Sequence, residues 1–204
     1  MAALSEANAV IRVLDAIGRV SGDTQFPSTV IIRKLDDVYR RLRRRLSAEF
    51  PTIYEKVSSN IVSTTGLLPK PSDCESIRVV EKQSGGNWYP ISVAPSLNRS
   101  TVAGVSFYEI GANLQVVPPS CAGGTYRIFY IAAPAATVTT YDVPDGLEGI
   151  IIEETAAMGR QRHNELEQVG YHLKEAERIW DEAYMGLWHR YGSHGRSGLN
   201  QTRA

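Results

Sequence analysis

Several clusters in the sequence carry residue types able to do chemistry. His163-Asn164-Glu165 has the H-x-E spacing with which zinc deaminases hold a metal and move a proton, yet no Pro-Cys-x-x-Cys follows to complete the metal's ligands. Glu153 and Glu154 are adjacent carboxylates of the kind used as general acid and base. As neighbours on a helix they diverge by about 100° and do not converge on one substrate atom. His163, His172, His189 and His194 never take the i, i+4 spacing of H-E-x-x-H, and no G-x-S-x-G occurs. Cys74 and Cys121 lack CxxC spacing and read as small buried apolar residues. The glycine pairs at 85–86 and 123–124 have no following Lys-Ser/Thr and open no helix, which makes them turns rather than phosphate loops. An enzyme built on Glu153, Glu154 and His163 is therefore the weakest reading, and neither a metal nor a cofactor is expected.

The stretch Tyr39–Leu46, YRRLRRRL, holds five arginines in a chain whose 22 Lys and Arg only equal its 22 Asp and Glu. With Leu35, Tyr39, Leu42 and Leu46 as a buried helical stripe, Arg40, Arg41 and Arg44 project to the opposite side and Arg43 and Arg45 flank it, all five in water. Asp36 precedes Arg40, and Asp37 precedes Arg41, by four residues, the favourable order for intrahelical pairing. Pro27–Phe50 has seven basic and three acidic residues, net +4, whereas Asp145–Gly186 has four basic and ten acidic, net −6. Such opposed patches can meet within a subunit, between copies or on a charged partner. No aromatic or amide side chain is interleaved among the arginines, which disfavours base readout. A small nucleic-acid-binding regulator using the basic helix 28–49 is the alternative reading, with the β region as a dimerisation module.

These residues must be positioned by elements that the patterning outlines. At 204 residues, with 43% hydrophobic and 22% charged, the composition is that of a soluble globular protein of one domain or one plus an insertion. The opening MAALSEANAV lacks a basic region followed by an apolar one, and no apolar run nears the roughly 18 residues of a membrane span, so a reducing cytoplasm and no membrane partner are expected. Apolar residues at helical spacing predict a first helix over about Leu4–Val20, stopped by Ser21-Gly22-Asp23. A second follows Pro27 and ends at Phe50-Pro51. Short β-branched and aromatic runs predict strands at Lys56–Thr65, Glu75–Lys82, Asn87–Val93, Val105–Gly111, Asn113–Val117 and Thr125–Ala132. Turns at Pro69–Asp73, Ser84–Gly86, Pro95–Ser100, Gly111–Asn113 and Pro118–Gly124 separate them. After a Thr-rich connection at Val138–Asp142, a third helix starts near Pro144. A fourth repeats Leu166, Val169, Leu173, Ala176, Trp180, Ala183 and Leu187 in heptad fashion, so one seam should face a neighbouring helix along its length. The predicted fold is α+β: a four-helix bundle, two helices N-terminal and two C-terminal, with an inserted antiparallel β subdomain. Its divisions are 1–54, the N-terminal helices; 55–134, the β insertion; 143–191, the C-terminal helices; and 192–204, a flexible tail.

The order and wording of several segments resemble the head–tail connector (adaptor) proteins of tailed bacteriophages. The segments are FPSTVIIRKLDDVYRRLRRRL, LPKPSDCESIRVVEK, NWYPI and FYEIGANLQVVPPSCAGGTYRIFYIAAPA, followed by a proline-led helix and a charged one. The opening LSEANAVIRVLDAIGRV is loosely similar to short-tailed phage tail tubular proteins. The resemblance implies a virion structural protein without catalytic activity, located in the neck between head and tail. It would form a ring, commonly of twelve copies, beneath the portal protein, joined below to a tail or neck protein. Genomic DNA would pass through the channel without sequence-specific binding. With the charge pattern, this makes Arg40, Arg41, Arg44, Glu175, Glu177, Trp188 and Tyr191 the expected subunit or portal contacts.

Overall fold

The computed structural model describes residues 2–19, 24–94 and 104–192. The Ser21–Asp23 stop, the Pro95–Ser100 turn and the tail 193–204 lie outside them. The chain forms two compact units, Met1–Ile53 with Pro134–Ala204, and Tyr54–Ala133.

The helical unit opens with a strand, β1 (Ala2–Ser5), where apolar spacing predicts helix from Leu4. The Ser5 Oγ accepts the Asn8 N–H at 3.3 Å, satisfying one of the donors a helix start leaves open, and α1 (Glu6–Ala16) begins only there. It buries Ala9, Val10, Val13 and Leu14. Helix α2 (Ser28–Glu49) follows Pro27 and buries Ile31, Leu35, Val38, Tyr39, Leu42 and Leu46, the three-and-four repeat of its sequence. It ends at Phe50, the residue before Pro51, which proline sterics push out of helical backbone.

In the second unit β2 (Glu55–Val57) and β3 (Ile61–Ser63) stand where one strand is predicted, and β4 (Leu67–Pro69) forms where a turn begins. β5 (Cys74–Ser84), β6 (Asn87–Val93), β7 (Ser106–Ile110), β8 (Asn113–Val117) and β9 (Gly124–Ala132) match the predicted strands closely. The order is β2-β9-β5-β6-β7-β8-β4, with β3 also on β9. Ser58 explains the split. It donates its N–H to the Ile128 carbonyl, and its Oγ accepts the Ile128 N–H, both at 2.9 Å, which replaces a ladder step between β2 and β3.

Gly85 and Gly86, with φ +57° and +84°, turn β5 into β6 as a two-residue hairpin that needs positive φ at both positions. The antiparallel expectation fails at one place: β6 and β7 run parallel, Ser92 opposite Ser106 and Val93 opposite Phe107. Twelve residues, Ala94 to Val105, separate the two strands, length enough for a crossover, and the sheet is mixed. The β3–β4 turn joins strands from opposite ends of the order, so the sheet curls over a core of Leu68, Val80, Leu114, Val116, Tyr126 and Ile128.

Back in the helical unit, β10 (Thr140–Val143) occupies most of the predicted connection and pairs antiparallel with β1, Ala2 opposite Val143 and Ser5 opposite Thr140. α3 (Glu148–Arg162) buries Ile150, Ile151, Ile152, Thr155, Ala156, Ala157 and Gly159, residues spread around most of its axis. A helix buried on most of its sides is an interior helix. It packs against α1, α2 and α4 (Leu166–Leu187). On α4 the covered line is His172, Ala176, Trp180 and Leu187, while the heptad residues Leu166 and Leu173 are 69% and 49% exposed.

Candidate interaction surface

The arginine stretch divides into five separate fates once α2 is packed. Arg40 donates to the carbonyls of Ala135 and Ala136 at 3.3 and 3.2 Å, and Arg41 to Glu154 of α3 at 3.0 Å, so both leave the aspartates one turn back. Asp36 instead accepts from the Tyr141 hydroxyl at 3.1 Å. Tyr141 is fully buried edge-on to Tyr39. Burial together with the Asp36 carboxylate pushes its hydroxyl far above the ordinary phenol range. Arg43 is not in water as expected. It is 8% exposed and donates to the Tyr39 hydroxyl at 3.1 Å, because it lies one turn beyond Tyr39 on the flank that α2 buries. Arg44 is exposed. Arg45 pairs with Glu49 at 3.3 Å and lays its guanidinium 3.4 Å from the centre of the Trp180 ring, a cation–π contact.

Trp180 is thereby shared between its core role on α4 and the α2 surface. Around it lies a cleft of about 390 Å³. Arg41, Leu42 and Arg45 form the α2 wall, Ile150 and Glu154 of α3 the floor, and Leu173, Glu177 and Asp181 line the α4 wall. One wall carries cations and the other anions, with Leu42, Ile150, Ala176 and Trp180 as the apolar lining and Glu154 held by Arg41. Of the expected contact residues, the cleft gathers Arg41 and Glu177. Leu173, Arg45, Asp181 and Glu154 belong to it as well, and sequence reasoning missed them. Only Leu173 carried a signal, since it sits seven residues before Trp180, as one line on a helix requires.

The remaining expected contacts lie elsewhere. Glu175 is held by Arg178 at 2.5 Å, which keeps its carboxyl below the usual carboxylate range, and Arg178 also donates to Glu182. All three stand on a side of α4 that does not line the cleft. Trp188 begins a π-helical turn, Trp188–Gly192, after α4. Trp188 is 41% exposed and its ring packs edge-on against Phe50 with centroids 6.3 Å apart, while Tyr191 is half-buried.

The groups first weighed for chemistry are each committed to a different neighbour. Glu153 accepts from the His172 ring Nδ1 at 2.6 Å, Glu154 is held by Arg41, and the His163 ring packs on Phe26 with centroids 4.5 Å apart. Among the described residues no three His, Cys, Asp or Glu are gathered as a metal would need, and no helix is long and apolar enough to cross a membrane. Cys74 is a free, half-buried thiol whose burial raises its pKa.

The structure thus offers a mixed-charge cleft and an exposed apolar helix face, features suited to holding another protein surface. The SU10 adaptor protein family model matches residues 8–197. No curated protein matches the chain.

Proposed function

This chain belongs to the SU10 adaptor protein family, a phage head–tail adaptor family, and from that premise we propose that it assembles as a ring of twelve copies beneath the portal, joining the capsid to the tail. Its place is the virion neck, with the portal above, a tail or neck protein below, and genomic DNA passing through the ring without base-specific contact. The observation that carries this reading is the division of charge, net +4 on Pro27–Phe50 against net −6 on Asp145–Gly186. A subunit with two complementary faces can bind the next copy head to tail, and a rotation closes such contacts into a ring. Arg44 is the arginine of α2 best suited to meet a neighbour or the portal, since it is exposed and enters no ion pair among the described residues. Glu177, Trp188 and Tyr191 are the acidic and aromatic contacts proposed for a neighbouring copy or the portal, with Arg40, Arg41 and Glu175 as further charges at these contacts.

Mass measurement of the purified chain with and without isolated portal tests the reading. A species of low mass alone that becomes a ring on the portal is the expected result. Arg44→Glu should cut the yield of portal-bound ring at least tenfold. A chain that stays monomeric with the portal but binds arbitrary duplex DNA, with affinity falling steeply as salt rises, would overturn the adaptor ring in favour of a nucleic-acid-binding role.

A further inference from the structure

The helical unit leaves part of a heptad seam uncovered. Leu166 and Leu173 continue the line that buries Ala176 and Trp180, yet both stand in water, and Leu173 forms a wall of the cleft beside Glu177 and Asp181. A seam of this kind is covered when another helix lies along it, with apolar residues inside and charges on the flanks.

We propose that the cleft receives α1 of a neighbouring copy, a contact that rests on the ring reading. The outward side of α1 carries Ala7, Asn8, Ile11, Arg12 and Asp15, and Ile11 is 52% exposed. Ile11 supplies the apolar residue for the exposed side of Leu173. Arg12, one residue on, supplies a cation for Glu177 and Asp181, which form no ion pair among the described residues. Lengths agree: Ala7 to Asp15 and Leu173 to Asp181 each span about 12 Å of helix. The outer side of α1 and the cleft are different surfaces of one unit. The contact is therefore heterologous, propagating from copy to copy until it closes.

The test uses the full chain with the portal. Arg12→Glu and Asp181→Arg should each lower ring yield at least tenfold, and the two together should restore it to within about threefold of the unaltered chain, since the swapped charges again attract. Both positions are exposed, and far-UV circular dichroism confirms that each variant is folded. A chain carrying Ile11→Cys and Leu173→Cys should give an oxidation ladder of covalent multimers above that of the unaltered chain. If the unaltered chain forms a ring and the single reversals leave it intact, or the pair fails to restore it, the α1 contact is wrong while the ring stands. If the cysteine variant yields only a covalent dimer, the head-to-tail contact is replaced by a two-fold exchange. If the unaltered chain forms no ring on the portal, the ring reading itself fails.

Discussion

Arg160 ties three helices together at one end of the helical unit, and its replacement gives the sharpest test of how that unit is held. From α3 its guanidinium donates to the carbonyl of Ile17, just past α1, and to the carboxylate of Glu165, just before α4. Its side chain is 13% exposed and that of Glu165 29%. Both accepting groups lie at helix ends, where carbonyls and charges have few other partners. Arg160→Met keeps most of the apolar stem but removes both donors. A hydrogen bond to a charged group contributes about 1.5–3 kcal/mol, and partial access of water to Glu165 reduces the ionic part. A loss of about 2–3 kcal/mol is expected, which for a chain of this size lowers Tm by roughly 4–12 °C. The signal at 222 nm during urea unfolding follows the helical unit and is the measurement of choice. Arg160→Lys should recover about half the loss, since one ammonium is a poor substitute for a fork that reaches two acceptors. A change below about 0.5 kcal/mol for Arg160→Met, or full recovery by lysine, would refute the reasoning.

Three further outcomes follow from single contacts. Asp73 accepts from Lys56 at 2.8 Å and from the Tyr130 hydroxyl at 2.9 Å, and these partners hold its carboxyl below the ordinary value. A lowered folded pKa stabilises above the unfolded value near 4 and is lost as pH falls through the folded one. Asp73→Asn should therefore cost about 0.5–1 kcal/mol at neutral pH and flatten the acid limb of a stability–pH curve. Tyr141 is raised instead, so its stabilisation is complete below about pH 10 and declines as pH rises further. Tyr141→Phe should blunt that alkaline loss in a titration of thermal stability, at a cost of about 1–2 kcal/mol at neutral pH from the bond to Asp36. Gly66 has φ +75°, and a Cβ there would stand 2.6 Å from the Ala122 Cβ, so Gly66→Ala should destabilise the β unit by about 2–4 kcal/mol, read as a lower urea midpoint.

The charges of α2 and α4 and the heptad line of α4 were visible in the sequence as spacing. The destination of each charge was not: Arg41 reaches a residue 113 positions away, and Arg40 carbonyls 95 and 96 positions away. Intrahelical pairing with Asp36 and Asp37 is the best local guess. It loses because α3 and the chain before β10 bring acceptors that an isolated helix lacks.

By itself the sequence determined the elements whose cause is local. The two-residue turns at 85–86 and 111–112 set the hairpins β5–β6 and β7–β8, because positive φ at glycine is a property of the residue and not of its surroundings. The buried stripe of α2 follows from 3.6-residue periodicity in the same way. Only the tertiary structure decided that β1 and β10 pair across more than 130 residues, that β6 and β7 run parallel, that α3 lies inside, and that Arg43 is buried. Each of these depends on which distant surface takes a residue out of water, and burial is settled by partners that no window of neighbouring residues contains.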